Sequence, residues 1–280
     1  MPSLFASRWK LLTSNTPRTM KIVILGSGKM GMFLADTLCM DHDVALYARH
    51  PEKLRYCLNT RRFTSYDEIK EFDPELLINC VTIKNTLPVF HEVLPYVSQT
   101  CILSDIASVK TGLPEFYAAS DHRYVSTHPM FGPTFANLSD LSQNYAIIIK
   151  EGDEEAKEFF RSVYAGLRLN IYDYSFVEHD ETIAYSLSIP FVSTLAFTGV
   201  MKPQDAPGTT FKKHMAIARG LLSEDDYLLT EILFNPNSPK QIDLIVEKLS
   251  LLSDIIKQHD SARLLEYINQ SRENIKNQKG

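Results

Sequence analysis

Short apolar runs separated by helical patterns dominate the chain after Met20. Six runs are rich in aliphatic and β-branched residues and are bounded by turn signals, which is typical of buried strands: 21–25, 44–48, 76–82, 101–105, 145–150 and 167–172. Helical patterns lie between them, from Lys29 to Met40, from near Pro51 and from near Asp153. This alternation predicts right-handed crossovers and an α/β fold with a doubly wound, mostly parallel sheet.

The pattern changes after about Phe176. Apolar residues run almost continuously from Glu178 to Met201, in a length that suits a buried helix. Residues 201–210 are rich in Pro and Gly and are expected to form a connection. Three or four amphipathic helices should follow, one of them over 239–257, where apolar residues recur at three- and four-residue steps.

Three segments are therefore expected along the chain. Residues 20–177 should form an α/β domain and residues 178–280 an all-α domain. The segment 1–19 has no acidic residue, and it lacks the apolar core and cleavage site of a secretory signal. We expect a disordered extension there. Met20 as the true start and a weak transit-like segment are the alternatives.

Composition places the chain among soluble globular proteins. It has 280 residues, 44% of them hydrophobic and 22% charged, which is enough to bury a core. The net charge of −5 argues against a nucleic-acid partner. No uninterrupted apolar run approaches the roughly 18 residues of a membrane helix, so no membrane partner is expected. The four cysteines form no close pair, which favours buried thiols, no metal site and a reducing, cytoplasmic compartment.

A glycine motif lies between the first strand and the first helix. Residues 26–31 read Gly26-Ser27-Gly28-Lys29-Met30-Gly31 and match G-x-G-x-x-G. Its three glycines permit a tight turn, close approach of a pyrophosphate, and packing of helix on strand. In this context the motif predicts a Rossmann-type dinucleotide-binding domain. A glycine turn with only a structural role is the alternative.

The second strand lacks the acid that reads a ribose 2′-hydroxyl in an NAD site. Arg49 and His50 follow it, and the segment 49–62 holds five Lys or Arg residues and one Glu. Because a guanidinium pairs with a 2′-phosphate, we predict NADP as the cofactor, with Arg49 as its ligand and His50 and Lys53 as helpers. NAD stays open as a cofactor, and so does a solvated basic helix face.

Two further stretches follow predicted strands. Residues 104–110 read SDIASVK, and residues 126–133 read STHPMFGP. Loops at the carboxyl ends of parallel strands line the ligand crevice. His128 is therefore a candidate for proton transfer near neutral pH, and a structural loop histidine is the alternative.

The four motifs GSGKMG, SDIASVK, THPMFGP and Glu178-His179-Asp180 occur in this order, and together they resemble the prephenate/arogenate dehydrogenase family of tyrosine biosynthesis. The resemblance runs from about Met20 to the end of the chain. It implies an oxidoreductase that converts prephenate to 4-hydroxyphenylpyruvate by oxidative decarboxylation, with hydride transfer to NADP. It also implies His128 as the catalytic base, Ser108 as a residue that orients histidine and substrate, and a homodimer through the helical domain.

The chain departs from this family in two places. Many members have Ser-His-Leu-Pro-His where residues 187–191 here read LSIPF. The arginine that pairs with a substrate carboxylate is replaced by basic residues around Lys213 and His214, which we expect to bind substrate, unless they form a solvated helix face. His179 is expected near the substrate, and Asp180 could instead cap the long helix.

Other functions stay open from the sequence. Another NADP-dependent two-domain reductase would share the glycine turn and the helical half, but it would leave the other motifs unexplained. A non-catalytic NADP-sensing module is the alternative outside enzymes. Prephenate is preferred over arogenate by family frequency alone.

Overall fold

The computed structural model describes residues 18–55, 57, 59–132 and 136–277. Most of the predicted extension at 1–19 lies outside the described residues. The chain divides into two compact units between His179 and Asp180, two residues after the expected boundary.

Eight strands form one sheet in the first unit, in the order β3-β2-β1-β4-β5-β6-β7-β8. All neighbours are parallel except β6 and β7, which are antiparallel. The strands are β1 Lys21–Leu25, β2 Asp43–Tyr47, β3 Arg61–Phe63, β4 Leu76–Asn79, β5 Ile102–Asp105, β6 Tyr124–Pro129, β7 Tyr145–Ile149 and β8 Asn170–Tyr174. The predicted doubly wound, mostly parallel sheet is confirmed.

Helices cover both faces of this sheet. They are α1 Lys29–Leu38, α2 Tyr66–Phe72, α3 Ile83–Val93, α4 Leu113–Ser120 and α5 Glu154–Gly166, with short 3₁₀ turns at Pro51–Leu54 and Leu94–Tyr96. One buried cluster contains Leu34 and Phe160, and the other contains Phe90 and Phe116. Where a helix was expected from near Pro51, the described residues form one 3₁₀ turn, Pro51–Leu54.

The turn between β1 and α1 leaves no room for side chains at two of its glycines. Gly26 has φ +105°, a conformation that only glycine adopts at low cost. A Cβ on Gly31 would lie 1.9 Å from the Gly26 carbonyl oxygen. A Cβ on Gly28, in contrast, would meet no atom within 4 Å. The turn therefore has no space for a side chain at Gly26 or Gly31 but has space for one at Gly28.

The second unit is helical. The helix α6 Phe176–Ile183 begins in the first unit and ends in the second. It is followed by a π turn at Ala184–Ser188, α7 Ile189–Gly199, α8 Thr209–Leu221, α9 Asp226–Leu233, α10 Ser238–Lys257 and α11 Ser261–Lys276. The π turn ends at Ser188, whose buried hydroxyl lies 2.6 Å from that of Ser238. The predicted all-α region is confirmed.

Two expectations about the long helix are wrong. It begins at Phe176, so Asp180 lies inside it and does not cap it. Ser175 and Glu178 form the cap instead, since each accepts a hydrogen bond from the other's backbone N–H. The apolar stretch was also expected to be buried, yet α7 has no buried residue.

The run Phe176–Gly199 is the one helical stretch in the described residues that is long and apolar enough to cross a membrane, by length and composition only. Only 17% of its most apolar window is buried inside the chain.

The cysteines are thiols of low reactivity. All four are free; Cys57 and Cys101 are buried, and Cys39 and Cys80 are half-buried. Burial raises the pKa of the Cys101 thiol to about 12 and raises the pKa of Cys80 as well. Since the thiolate is the reactive form, these side chains are inert at neutral pH.

We predict that Gly31→Ala destabilises the fold, because the new methyl group would collide with the Gly26 carbonyl. The loss should reach about 3 kcal/mol, the upper end of ordinary overpacking costs, despite a gain of about 1 kcal/mol in helix propensity. Urea unfolding measures it. Gly28→Ala is the matched control and should cost no more than about 1 kcal/mol, the cost of losing a good N-cap residue. Equal stability of the two variants would contradict the prediction.

Candidate active site

Backbone amides at the start of α1 face an open surface. The Gly28 carbonyl accepts the N–H of Met32 at 2.9 Å, so the N–H groups of Lys29, Met30 and Gly31 precede the first bond of this helix. The positive end of the helix dipole lies at the same place. Together with the open position at Gly28, this arrangement fits a bound phosphate.

A cavity of about 230 Å³ continues from this turn across the carboxyl ends of β1, β2 and β4. Its polar lining includes Ser27, Arg49, His50, Lys53, Thr82 and Asn85. Among the described residues that line it there is no carboxylate. The structure thus brings together the predicted glycine turn and the predicted cations, in a cavity suited to an anionic ligand.

The cations of the segment 49–62 serve two different purposes. Arg61 pairs with Asp43 through two hydrogen bonds of 2.8 and 3.0 Å, and Arg62 donates to the Cys57 carbonyl at 2.9 Å. These two arginines hold the edge strand β3. Arg49 is exposed and makes no ion pair with any described residue, which leaves its guanidinium available for a ligand.

A larger cavity, of about 890 Å³, lies at the opposite end of the sheet. Its lining includes Asp41, Asp73 and Glu75, next to the amino ends of the strands. In open α/β sheets ligands bind outside the carboxyl ends of strands. We therefore place the candidate site at the smaller cavity and at the adjoining end of β6.

His128 lies within strand β6, opposite Ile147 of β7, and not in a loop as expected. Its ring is 7% exposed. Its Nδ1 lies 3.0 Å from Nε2 of His179, a fully buried residue of α6. The two imidazoles form one hydrogen-bonded pair, although the residues are 51 positions apart in the chain.

The surroundings of His128 favour its neutral form. Burial lowers the pKa of this imidazole well below its usual value, and the nearby His179 and Lys110 lower it further. Each of these effects disfavours the charged ring. A neutral imidazole has a lone pair that can accept a proton.

A buried polar group lies beside this histidine pair. The Lys110 ammonium donates to Asp105 and to the Thr127 carbonyl, both at 2.7 Å. The Tyr117 hydroxyl donates to the second Asp105 oxygen at 2.7 Å. Sequence reasoning assigned no role to Lys110 or Asp105. The motif SDIASVK contains both, an acid that ends a buried strand and an amine five residues later.

Ser108 is half-buried and forms no hydrogen bond with any described residue. The hydrogen-bond partner that the structure gives to the His128 ring is His179. The role of Ser108 stays a prediction.

The remaining predicted substrate residues lie in the helical unit. Lys213 is exposed on α8, and Nδ1 of His214 lies 3.1 Å from the Thr210 carbonyl of the same helix. The His214 ring also contacts Phe197, with ring centroids 5.4 Å apart. Their assignment to a substrate carboxylate stays a prediction. No group of metal-ligating side chains occurs among the described residues.

Known proteins resemble this chain in sequence. Residues 38–168 match a family model described as prephenate dehydrogenase, nucleotide-binding domain. Arogenate dehydrogenase 1 of Arabidopsis thaliana is 28% identical over 59% of this chain and 28% of its own length. The T-protein of Enterobacter agglomerans is 25% identical over 59% of this chain and 46% of its own length. The chain thus matches less than half the length of these curated relatives.

Solved structures resemble its fold. A prephenate dehydrogenase from A. aeolicus, in complex with hydroxyphenyl propionate and NAD+, has a TM-score of 0.80 at 18% identity, over 93% of this chain and 98% of that one. Arogenate dehydrogenase from Synechocystis has a TM-score of 0.70 at 21% identity, over 91% of this chain and 100% of that one.

The evidence from motifs, family model and relatives agrees. The glycine turn, the histidine in β6 and the buried SDIASVK loop occupy one end of one sheet, and the matched family model spans most of that sheet. The chain resembles the prephenate/arogenate dehydrogenase family in sequence and in fold.

Proposed function

We propose that this protein catalyses the oxidative decarboxylation of prephenate to 4-hydroxyphenylpyruvate, with NADP+ as the oxidant. The observation that carries the proposal is the neutral, buried His128, whose Nδ1 is held by His179 at the carboxyl end of the sheet that also carries the dinucleotide turn. Arogenate, in which an ammonium-bearing carbon replaces the keto group, is the alternative substrate, supported by the arogenate dehydrogenases among the relatives.

The reaction needs one base and one hydride acceptor. Hydride leaves the ring carbon that carries the hydroxyl group, the ring carboxylate departs as carbon dioxide, and the ring becomes aromatic. When bound, the nicotinamide accepts the hydride. As the hydride leaves, we assign the hydroxyl proton to Nε2 of His128. The proton returns to the same oxygen when the ring becomes aromatic, which gives the phenol of 4-hydroxyphenylpyruvate.

The histidine pair determines which nitrogen of His128 can act as the base. For Nε2 to accept a proton, Nδ1 must carry the ring hydrogen and donate it to Nε2 of His179. His179 is then neutral and protonated on its own Nδ1. After proton transfer, the His128 imidazolium still donates the same hydrogen bond to Nε2 of His179. His179 is therefore proposed as the residue that fixes the tautomer of the base.

The cavity supports NADP+ rather than NAD+ as the cofactor. Its described lining has no carboxylate to bind a ribose 2′-hydroxyl, and it has three basic side chains, those of Arg49, His50 and Lys53. An acid would repel a 2′-phosphate, whereas a guanidinium binds it through two hydrogen bonds. We infer that Arg49 makes this contact.

We also propose that two copies associate through the helical unit. Exposed apolar side chains on α10 lie along one stripe, with Val246 and Leu249 each 55% exposed and Ile256 60% exposed. Phe234, at the end of α9, is 79% exposed. Large exposed apolar surface marks an interaction site, and the apolar run Phe176–Gly199 is uncovered as well.

A direct assay tests the proposed reaction. The purified protein is incubated with prephenate or arogenate and with NADP+ or NAD+, and formation of reduced nicotinamide is followed by absorbance. We expect turnover with prephenate and NADP+. Absence of turnover in all four combinations would refute the proposed function, and a clear preference for arogenate would select the alternative.

His128→Asn should lower kcat by about 10²–10⁴, the usual contribution of a general base, with little change in KM. The control is His122→Asn, because the half-buried His122 is also hydrogen-bonded, to the Cys101 carbonyl, but lies at the other end of the sheet. It should retain kcat within about twofold. A His128→Asn enzyme within about tenfold of wild type would rule out the role of base.

The pH profile should reflect the lowered pKa of His128. Only the neutral ring accepts a proton, so activity falls as pH drops through this pKa. Because the pKa lies well below its usual value, kcat should still be at its plateau at pH about 6.5 and should fall only in more acidic buffer. A half-maximal rate at or above pH about 6.5 would contradict the assignment.

Arg49→Glu should weaken NADP+ binding by about 10- to 100-fold, the equivalent of one charge-assisted hydrogen bond, and should leave NAD+ binding unchanged or stronger. Calorimetric titration with each nucleotide measures this without turnover. Lys70→Glu, which changes charge equally at an exposed position of α2, is the control. Unchanged NADP+ affinity in Arg49→Glu would exclude the assignment, and so would a wild type that turns over equally fast with NAD+ and with NADP+.

Light scattering after size exclusion should give about twice the chain mass of 31.9 kDa. The double variant Val246→Glu/Leu249→Glu should be monomeric, because two carboxylates would be buried in the interface. Met40→Glu, at an apolar position of the first unit that is 78% exposed, should stay dimeric. A monomeric wild type, or recovery of the protein with lipid vesicles, would contradict the proposal.

A further inference from the structure

Lys110 is a buried cation next to the proposed base. Its side chain has no exposed surface, nor has that of Asp105, with which it forms an ion pair of 2.7 Å. The same ammonium donates to the Thr127 carbonyl at 2.7 Å. Thr127 directly precedes His128, so Lys110 is bonded to the peptide group that carries the base.

The strand pairing explains why the Thr127 carbonyl needs a hydrogen-bond donor from a side chain. β6 pairs with β5 up to the Asp105–Ser126 pair and pairs with β7 from Thr127 onward. The Arg123 carbonyl accepts the N–H of Leu103 in β5. Carbonyls two residues apart along a strand point to the same neighbour, so the Thr127 carbonyl also points to the side of β5. Since β5 has already ended, the Lys110 ammonium takes the place of the next backbone N–H.

The ion pair is itself held on the far side. Asp105 accepts the N–H of Ala107 at 2.9 Å and the Tyr117 hydroxyl at 2.7 Å. All hydrogen bonds that fix Asp105 therefore also fix Lys110. A buried charge that lost its partner would be strongly destabilising.

We propose that Lys110 is a positioning residue for the base: it anchors the Thr127–His128 peptide and places a positive charge where it opposes protonation of His128. The proposal rests on the proposed function, in which neutral His128 accepts the substrate proton. It adds a residue that touches neither substrate nor cofactor and acts only through His128.

The charged and titratable groups around His128 determine the sign of the effect. His179 on α6 and Lys110 in the loop after β5 both lower the pKa of His128, and burial lowers it most. Asp105 accepts hydrogen bonds from Lys110 and from Tyr117, and neither Asp105 nor Tyr117 is among the causes of the pKa shift of His128. Removing the ammonium should therefore raise the pKa of His128, and the acidic limb of the pH profile should move to higher pH.

Lys157 provides a matched control. It is also a buried lysine, 8% exposed, and it donates to the Lys150 carbonyl at 2.7 Å and to Glu154 at 2.8 Å. Its surroundings have the same chemistry as those of Lys110, but it lies on α5, and no contact joins it to the histidine pair. Loss of Lys157 reports the cost of removing a buried lysine, without an effect on the base.

The experiment compares three variants of the full-length protein. Lys110→Met combined with Asp105→Asn removes both charges and leaves no orphaned carboxylate. Lys110→Arg keeps the charge but changes the geometry. Lys157→Met is the control. Each is checked by circular dichroism and NADP+ binding and then assayed for kcat across pH, and the His128 ring is titrated by NMR.

For the double variant we expect kcat to fall by about ten- to hundredfold, as for a misplaced catalytic group, with little change in NADP+ binding. The acidic limb and the NMR titration of His128 should both move upward by about half a pH unit or more. Lys110→Arg should lose kcat but keep the wild-type titration. Lys157→Met should keep the wild-type kcat and the wild-type titration of His128.

Other results would overturn the proposal. One is a folded double variant with kcat within about twofold of wild type and an unmoved titration. Another is an equal shift of the His128 titration in Lys110→Arg or Lys157→Met, because that result would assign the effect to packing. If the wild type turns over neither substrate, the proposed function fails, whereas the NMR titration still shows whether Lys110 controls the charge of His128.

Discussion

Strand β6 changes its bonding partner one residue before the proposed base, and the site depends on how that change is accommodated. Up to Ser126 it belongs to the parallel part of the sheet, and from Thr127 it is bonded to the antiparallel strand β7. A backbone carbonyl left unpaired in a buried place is costly. The buried Lys110 ammonium satisfies it, which in turn requires Asp105 and Tyr117. The position of the proposed base and the stability of the fold therefore depend on the same hydrogen bonds.

The histidine pair is buried, whereas the dinucleotide turn is open to solvent, and this difference suits their different proposed ligands. At the histidine pair, exclusion of water keeps His128 neutral and gives it a free lone pair. At the dinucleotide turn, the open position of Gly28 and the exposed Arg49 keep their charge and hydrogen-bonding capacity available for a phosphate. The carboxyl end of the sheet thus holds both the proposed proton acceptor and the proposed anion site, several strands apart.

Local patterns predicted most of the fold. The strand 21–25 and the glycine turn are specified by adjacent residues, because a strand buried on both faces must be apolar and a tight turn needs glycine. Neither β3 nor β6 is among the six predicted runs. β3 is an edge strand that exposes Arg61 and Arg62 and has no apolar run. The family resemblance could also be inferred, because the motifs that carry it are short and continuous.

Relations between distant residues could not be predicted in the same way. The His128–His179 contact joins positions 51 residues apart, so no spacing rule reveals it. The cations of 49–62 look alike in the sequence, and only the fold separates Arg61, bound to Asp43, from Arg49. Asp180 was a reasonable cap candidate, but two acids within three residues compete for that role, and Glu178 has the right distance from Ser175.

The π turn at Ala184–Ser188 changes how the rest of its helix should be compared with relatives. A π turn takes one more residue than an α turn, so every later side chain points about 100° away from the direction that a simple count along an α-helix would give. Residues 187–191, which stand where many family members have Ser-His-Leu-Pro-His, straddle the end of this turn. The direction of a side chain after this turn therefore cannot be read from its position number alone.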